Sequence, residues 1–377
     1  MKVDRREIAG AVADVGVLVP IAVTLIVANG LSATAVLLPA GLLYLAAAAV
    51  YRLPVPVQPL KAFGAIAIAQ GLGSDEIAAG ALLMGALFLV AGRLGLVDRL
   101  ARAFPRPLVR GVQLAVGLLF LQIAWGLAAD PPAAFAEHAL PPAWAVGLAL
   151  AAAAAALAFR RSGAALLLVA GGAVVMVATA GGSASLGPSA LAVPSLDLGV
   201  LATAFVVLVV PQAPLSFANS CLATADAARV YFGEDRARRV SPGSLASTYG
   251  VANLFAGSIG GMPVCHGAGG LTAHYSFGAR TAAAPLVMGG VLVVLALAAG
   301  SGLAALLVAF PLPILAALLA VAGLLHIGLL RDLAGGPAWA AALAVGALGA
   351  TLGLAIGLAV GLALWWLPLG ARRLRAA

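Results

Sequence analysis

Long apolar runs, separated by short breaks of Pro, Gly or charged residues, fill almost the whole chain and restrict its fold more than any other feature. A helix of about 20 residues crosses the hydrocarbon layer of a bilayer, and the runs are near that length. Only 9% of the residues are charged, whereas an average globular domain has about 25%. This composition excludes a soluble or disordered chain, and it predicts an all-α polytopic membrane protein.

The apolar runs divide the chain into fourteen predicted membrane spans. Two of them, 59–71 and 266–278, are too short to cross a bilayer alone. In chain order the spans are 8–28, 32–51, 59–71, 75–95, 107–128, 142–159, 163–181, 198–220, 241–258, 266–278, 281–303, 312–330, 336–351 and 353–370. An even number of spans predicts that both termini lie on the same side of the membrane.

Charged residues are distributed unevenly among the predicted loops. With the N-terminus inside, all 19 arginines fall on the inner side, including the cluster from Arg93 to Arg110. The outer loops carry Asp75, Glu76, Asp130, Glu137 and Asp197. Cytoplasmic loops of membrane proteins concentrate Lys and Arg. We therefore expect both termini in the cytoplasm, in a bacterial-type inner or plasma membrane. The arginines of the cytoplasmic loops then account for the formal charge of +8, which gives no reason to expect a nucleic-acid partner.

Two sequence landmarks recur at nearly the same offset. Pro56-Val57 returns 207 residues later as Pro263-Val264, and each pair precedes one of the two short spans. The stretch FPRPL at Phe104 returns 206 residues later as FPLPI at Phe310. Agreement in offset and in order indicates that the chain is duplicated.

The duplication divides the chain into a first half, 1–195, and a second half, 196–377. Each half holds seven predicted spans, so the second half enters the membrane from the opposite side and the repeats are inverted. Inverted repeats with a short, Gly/Pro-interrupted span at the same place in each half are typical of secondary transporters. The N-termini of such broken helices carry partial positive charge and can bind anions.

The first break, from Pro54 to Lys61, reads PVPVQPLK. Lys61 falls in the first turn of the short span, and Gln58 directly precedes that span. A charge at membrane depth costs a few kcal/mol and is a functional candidate by default. Because a cation at a helix N-terminus opposes the helix dipole, we expect an anion nearby. The alternative is that Lys61 extends to the membrane interface.

The second break, from Gly260 to Gly270, reads GGMPVCHGAGG. Glycines permit close backbone approach, and successive N–H groups can form a concave anion site. The candidate ligands are Cys265, His266, Gly267, Ala268 and Gly269, and His266 is also a candidate proton carrier. The alternative is that the glycines only allow tight helix packing. The Cys and His residues fit no standard metal spacing, so we predict neither a metal nor a cofactor.

Three further polar groups lie inside predicted spans. Asp14 is a candidate for proton relay or ion coupling, with structural pairing as the alternative. Gln212 and Asn219 lie on one face of a predicted helix together with Ser216. They are candidate substrate ligands that line a cavity, or they join neighbouring helices by hydrogen bonds.

Several of these stretches resemble the molybdate transporter family, a branch related to the SulP sulfate permeases. The resemblance lies in Pro54–Ala69 (PVPVQPLKAFGAIAIA), Pro211–Ala223 (PQAPLSFANSCLA) and, above all, Gly261–Arg280 (GMPVCHGAGGLTAHYSFGAR). It implies fourteen spans in two inverted seven-helix repeats, a fold shared with SulP and uracil-permease-like carriers. It also implies a core domain of spans 1–4 and 8–11 and a gate domain of spans 5–7 and 12–14.

The resemblance implies that a tetrahedral oxyanion, molybdate before sulfate, binds near the midplane between half-helices 3 and 10. The residues that match the binding motifs are Gln58 to Lys61 and Cys265 to Gly270. Most SulP permeases end in a STAS domain. Only a few residues follow Pro368, so we expect that domain to be absent.

These inferences predict a secondary active transporter that moves the anion by alternating access. Co-transport of H⁺ or Na⁺ and a homodimer are both left open. The alternatives are a nucleobase or other small-anion permease of the same fold, and an anion channel. Neither short span contains Asp or Glu, which favours an anion over a nucleobase. A membrane-embedded enzyme is disfavoured, because Cys265 and His266 are adjacent and no cofactor motif is present.

Overall fold

The computed structural model describes residues 3–13, 15–102, 104–159, 164–180 and 185–376, and they are almost entirely helical. Helices satisfy all backbone polar groups within one segment, which a lipid environment requires. The helices of the first half are α1 (Arg5–Val12), α2 (Val15–Asn29), α3 (Ala33–Tyr51), α4 (Lys61–Ala69), α5 (Ser74–Arg93), α6 (Leu96–Arg102), α7 (Arg106–Ala129), α8 (Pro142–Ala158) and α9 (Ala164–Thr179).

The second half follows the same order. Its helices are α10 (Leu198–Thr203), α11 (Val210–Leu215), α12 (Thr224–Phe232), α13 (Glu234–Ala237), α14 (Pro242–Ser258), α15 (Ala268–Phe277), α16 (Ala283–Ala298), α17 (Leu303–Leu307), α18 (Leu312–Ile327), α19 (Gly336–Thr351) and α20 (Leu354–Ala376). Two 3₁₀ turns, Ala133–His138 and Gly328–Asp332, also belong to the described helical elements.

Each of the fourteen predicted spans coincides with a helix or a pair of helices. Among the described residues, five helices are long and apolar enough to cross a membrane by themselves, and α1 with α2 would make a sixth. The others are shorter apolar helices, which need a neighbour or a tilt to match the bilayer. The number of segments that cross, fourteen, stays a prediction.

Helices α10, α11 and α12 are parts of one continuous helix, Leu198–Phe232, which is the longest in the described residues. Two π-helical segments, Ala204–Val209 and Ser216–Ala223, connect these three parts. Pro214 inside α11 lacks a backbone donor, so an unbroken α-helical ladder is impossible there. Wide π-turns often occur at functional sites because they reorient the side chains around them.

The two short helices start from one two-stranded ribbon. Strand β1 (Gln58–Pro59) pairs antiparallel with β2 (Val264–Cys265), with Gln58 opposite Cys265. The first half-helix, α4, has 9 residues and the second, α15, has 10. Such helices are about 14–15 Å long, about half of a hydrocarbon layer. The ribbon therefore brings the N-termini of both half-helices to the same place.

Helix packing repeats when the two halves are exchanged. Helix α5 packs on α14 and α3 packs on α16, so the fourth predicted span of each half meets the second of the other. In the same way α7 packs on α19 and α18 packs on α8. The β1–β2 register also places Gln58 opposite the residue 207 positions later. The division into 1–195 and 196–377, and into core and gate, stays a prediction that this packing supports.

Small residues allow the closest helix contacts. A Cβ added to Gly85 of α5 would lie 2.7 Å from the backbone nitrogen of Leu254 in α14. Large apolar side chains instead cover much of the outer surface, for example Trp144 and Leu167, which are 71% and 73% exposed. Small contacts inside and apolar groups outside are the packing expected of helices in lipid.

The charges lie at opposite ends of the long helices. Helix α7 begins at Arg106, which is paired with Asp332, and Asp130 caps its C-terminus. A cavity of about 420 Å³ next to Asp332 is lined by Arg280 and Arg331. We call this side of the molecule the basic end, and the side of Asp130 the acidic end. The basic end carries the loops that the sequence predicts to be cytoplasmic.

Candidate functional site

A cavity of about 530 Å³ extends from the first half-helix towards the acidic end. Lys61, Ala62 and Ala65 of α4 form part of its wall, and Asp130 and Pro132 lie at its other extremity. Most of the remaining wall is apolar and comes from α2, α7, α11, α19 and α20. The cavity therefore joins the N-terminal end of α4 to the acidic end of the molecule.

Lys61 is the cation of this cavity and is 4% exposed. Its ammonium group donates a hydrogen bond of 2.6 Å to the Oε1 atom of Gln58. The same nitrogen lies 5.5 Å from the centre of the Phe120 ring on α7. The ring offers a weak cation–π contact and limits access from that side. Lys61 thus lies between a neutral amide, an aromatic face and the cavity.

One helix supplies a polar side chain to the start of each half-helix. The Oε1 atom of Gln212 accepts a hydrogen bond of 2.9 Å from the backbone N–H of Phe63 in α4. Seven residues later, the Oδ1 atom of Asn219 accepts one of 3.4 Å from the N–H of Ala268 in α15. Both amides are buried. They satisfy helix N-terminal donors and so join the long helix to both half-helices, whereas their role as substrate ligands stays a prediction.

Glycines bring the two half-helices close to their surroundings. A Cβ on Gly267 would overlap the Oε1 atom of Gln58, the acceptor of the Lys61 hydrogen bond. A Cβ on Gly269 would lie 2.6 Å from the Phe120 ring. Phe120 therefore contacts the N-terminal turns of both half-helices. Sequence reasoning did not single out Phe120, because a Phe in an apolar helix has no pattern that separates it from ordinary core.

His266 uses both ring nitrogens for contacts within the protein. Its Nδ1 atom lies 2.9 Å from the carbonyl oxygen of Pro56, and its Nε2 atom lies 2.9 Å from the Thr248 hydroxyl. These bonds fasten the loop before β1 to the segment before α15. Cys265 is buried in β2, with its Sγ atom 3.9 Å from the carbonyl oxygen of Pro59. The roles of both residues towards an anion stay predictions.

Two other sequence expectations concern protons and metals. Asp14, a candidate for coupling, lies outside the described residues. Within the described ranges, no group of three or more His, Cys, Asp or Glu side chains is placed to hold a metal ion.

A buried ion-pair network at the basic end was not predicted. Arg110 is fully buried inside α7, whereas the sequence analysis counted it among the loop arginines. Its guanidinium pairs with Asp226 of α12 and, at 2.5 Å, with Asp332. Gln113, one turn further along α7, also donates to Asp226 at 3.0 Å. The network therefore ties α7 to the long helix that carries Gln212 and Asn219.

The chain matches known transporters over most of its length. The profile of the family described as "Molybdate transporter of MFS superfamily" matches residues 6–120 and 204–325. Molybdate transporter 1 of Arabidopsis thaliana is 34% identical over 363 residues, which cover 84% of this chain and 78% of that protein. The chain belongs to the molybdate transporter family. Molybdate transporter 2 of the same plant is 29% identical over 361 residues, covering 84% and 77% of the two chains.

Solved structures confirm the predicted fold class, an all-α membrane fold of the SulP type, for this member of the molybdate transporter family. The transmembrane domain of the cyanobacterial bicarbonate transporter BicA superposes with a TM-score of 0.60 at 19% identity, covering 93% of this chain and 96% of that one. Murine Slc26a9, described as an anion transporter in the inward-facing state, gives 0.62 at 14% identity, covering 99% and 70%. The chain is thus an integral membrane protein of the SulP-like fold, and its family is one of transporters and not of enzymes.

Proposed function

We propose that this protein is a secondary active transporter of molybdate, with sulfate as the nearest competing oxyanion. The observation that carries the proposal is Lys61, a buried cation at the N-terminus of a half-helix, on the wall of a cavity that reaches the acidic end. The two relatives named molybdate transporters support the choice of anion. The proposed orientation places both termini and the basic end in the cytoplasm.

The proposed site lies between the starts of α4 and α15, with Lys61 as its cation. The N–H groups of Ala62, Gly269 and Gly270 lie in the first turns, where helix geometry supplies no carbonyl acceptor. Partial positive charge at both helix ends adds to the charge of Lys61. Together they provide the charge and the donors that a tetrahedral dianion needs in place of water.

Gln212 and Asn219 position the two half-helices in this proposal. Each amide holds one half-helix N-terminus, and both amides belong to the same long helix. A movement of that helix would carry both halves of the site together. The proposed core, spans 1–4 and 8–11, would then move as one body relative to the gate.

Alternating access is supported by two cavities at opposite ends of the molecule. The larger one leads from the acidic end to Lys61, while the smaller one is lined by Arg280, Arg331 and Tyr231 at the basic end. The ion pairs of Arg110 with Asp226 and Asp332 lie at the basic end between α7 and α12. They would hold the cytoplasmic side closed and open when the anion is released. Co-transport and a homodimer are parts of the proposal that rest on the family resemblance alone.

Uptake of radiolabelled molybdate by the full chain in proteoliposomes tests the proposal. We expect saturable uptake that unlabelled molybdate and, at higher concentration, sulfate inhibit. Lys61→Gln should lose most of this uptake, because it removes the charge and leaves a side chain of similar length. Arg93→Gln, which removes an exposed charge at the end of α5, is the matched control and should transport normally.

Three results would count against the proposal. They are the absence of saturable uptake, unitary currents with no saturation, which would indicate a channel, and Lys61→Gln uptake equal to that of the control. Inhibition by uracil but not by sulfate would favour a nucleobase permease.

A further inference from the structure

The cavity of about 420 Å³ at the basic end lies where the proposed core meets the proposed gate. The core contributes Tyr231 of α12, Tyr275 of α15 and Arg280, which follows α15. The gate contributes residues of α18 and of the 3₁₀ turn after it, Gly328–Asp332. Cavities of about 300–1,000 Å³ are the usual size of small-ligand sites. A ligand in this cavity would contact both bodies at once.

One arginine from each body lines the cavity, Arg280 from the core and Arg331 from the gate. A guanidinium group offers five N–H donors in a rigid plane, stays charged at physiological pH and binds oxyanions through parallel hydrogen bonds. Tyr231 and Ser276 also line the cavity, and each carries a hydroxyl group. The lining therefore contains the charge and the donors that a tetrahedral dianion requires.

Contacts within the core hold the Arg280 side chain in place. Its guanidinium carbon lies 3.7 Å from the centre of the Tyr275 ring. Its Nη1 atom donates to the carbonyl oxygens of Tyr275 and, at 2.8 Å, of Ala279. The Tyr275 ring stacks in turn on the Tyr231 ring, with 4.4 Å between the ring centres. Because these contacts already order Arg280, little conformational entropy is lost when it binds an anion.

The nearby carboxylates differ in their relation to the two arginines. Asp332 lines the same cavity, but it pairs at 2.5 Å with the buried Arg110, which offsets its charge. Glu7 of α1 accepts a hydrogen bond of 3.0 Å from the backbone N–H of Arg280. Arg331 is exposed, and it forms no salt bridge with the residues that the structure describes. The gate side of the cavity thus presents a positive charge that an anion can approach.

We propose that this cavity binds a second tetrahedral oxyanion, molybdate itself, between Arg280 and Arg331, and that the bound anion slows transport. The inference rests on the proposed function, because it takes the core and the gate to be bodies that move relative to each other. An anion that contacts both arginines binds this arrangement more tightly than one in which the bodies separate, so it shifts the equilibrium towards this arrangement. Molybdate that accumulates in the cytoplasm then keeps the cytoplasmic side closed and reduces further uptake.

Isothermal titration of molybdate into the purified full chain in detergent tests the second site. We expect two molybdate ions per chain in the wild type. Lys61→Gln should weaken one site and keep the other, whereas Arg331→Gln and Arg280→Gln should weaken the other one roughly 10- to 100-fold, the effect of one charge-assisted hydrogen bond. Arg238→Gln is the matched control, because Arg238 is an exposed arginine that follows α13 and does not line the cavity.

Uptake into proteoliposomes loaded with increasing internal molybdate tests the effect on transport. Exchange should raise wild-type uptake of labelled molybdate at low internal concentration, and occupancy of the second site should lower it again at high concentration. In Arg331→Gln the rise should end in a plateau without the later fall. Arg238→Gln should show the same fall as the wild type.

The phosphate group of a lipid has the same chemistry as a free oxyanion, and a repeat of the titration with short-chain phosphatidylglycerol distinguishes the two. Free molybdate should still bind at both sites. Loss of the second site in the presence of this lipid would assign the cavity to a headgroup and overturn the inference.

The two proposals fail in different ways. A single molybdate site that Lys61→Gln weakens and Arg331→Gln leaves intact would overturn the second site and leave the proposed function standing. An equal fall of uptake at high internal molybdate in wild type and Arg331→Gln would overturn the inhibitory role. A single site that only the arginine variants weaken would instead remove Lys61 from the proposed function.

Discussion

Lys61 and Arg110 are both buried cations, but their surroundings differ. Arg110 has no exposed surface, and its guanidinium pairs with the carboxylates of Asp226 and Asp332. Lys61 lies on a cavity wall at the start of a half-helix, where a neutral amide accepts its hydrogen bond. A buried charge with carboxylate partners contributes to a defined closed arrangement, whereas a charge beside a cavity can receive a ligand. The comparison predicts that one cation serves stability and the other serves binding.

The largest effect is expected at Arg110. Arg110→Met leaves two carboxylates, 23% and 31% exposed, without their buried partner, and the cost should be at most that of breaking a fully buried pair, about 3–5 kcal/mol. The midpoint of thermal unfolding in detergent should fall markedly. Arg106→Met is the matched control, because Arg106 pairs with the same Asp332 but is 61% exposed, and an exposed pair contributes about 0–1 kcal/mol. Equal losses in the two variants would show that burial of Arg110 is not what matters.

Lys61 should behave in the opposite way. Lys61→Gln removes a charge-assisted contact worth about 1.5–3 kcal/mol, which corresponds to roughly a 10- to 100-fold higher Kd for molybdate. The same change keeps a side chain of similar length on the cavity wall, so the unfolding temperature of the ligand-free protein should fall less than in Arg110→Met. Isothermal titration and thermal unfolding of one preparation measure both effects. A Lys61 variant as unstable as the Arg110 variant would end the distinction between the two cations.

Gly267 tests whether close approach to Lys61 matters as much as its charge. Gly267→Ala adds a Cβ that overlaps the Gln58 amide, so Gln58 must move and release Lys61. Overpacking of this kind costs about 1–3 kcal/mol, and we expect weaker molybdate binding together with a lower unfolding temperature. Gly290→Ala is the control, because nothing lies within 4 Å of the added atom.

A second variant separates the steric effect from the loss of Gln58. Gln58→Ala combined with Gly267→Ala removes the overlapping amide, so it should recover the unfolding temperature but not the affinity. Recovery of both would show that Gln58 has no part in positioning Lys61.

The sequence was sufficient for most helices but not for the contacts between them. Span 142–159 was predicted almost as α8 has it, because Pro and Arg residues bound an uninterrupted apolar run. The predicted span 198–220 stops 12 residues before the helix does, since the helix continues through a π-helical segment and α12 to Phe232. Polar residues after position 220 ended the apolar run, and the predicted span therefore stopped there. In the fold, Asp226 in this stretch lies at the basic end and pairs with Arg110.

Partners that are distant in sequence account for what was missed. Asp226 is three residues from Arg229 in the sequence, but Arg229 pairs with Glu234, and Asp226 pairs with Arg110, which lies 116 residues away. No local pattern identifies such a pair. Lys61 was recognisable because a lysine in an apolar run is unusual by itself.

The smallest effect extends the comparison to an exposed charge. Asp4 caps α1 by accepting hydrogen bonds from the N–H groups of Glu7 and Arg6, and these bonds lower its pKa below the usual 3.8. A lowered pKa stabilises the fold above the unfolded value, and the contribution disappears as the pH falls through the folded value. Asp4→Ala should therefore lower the unfolding temperature slightly and equally at pH 7 and pH 5, and the difference from wild type should shrink below about pH 3.8. A difference that grows on acidification would mean that Asp4 acts through another group, since protonation can only weaken its capping bonds.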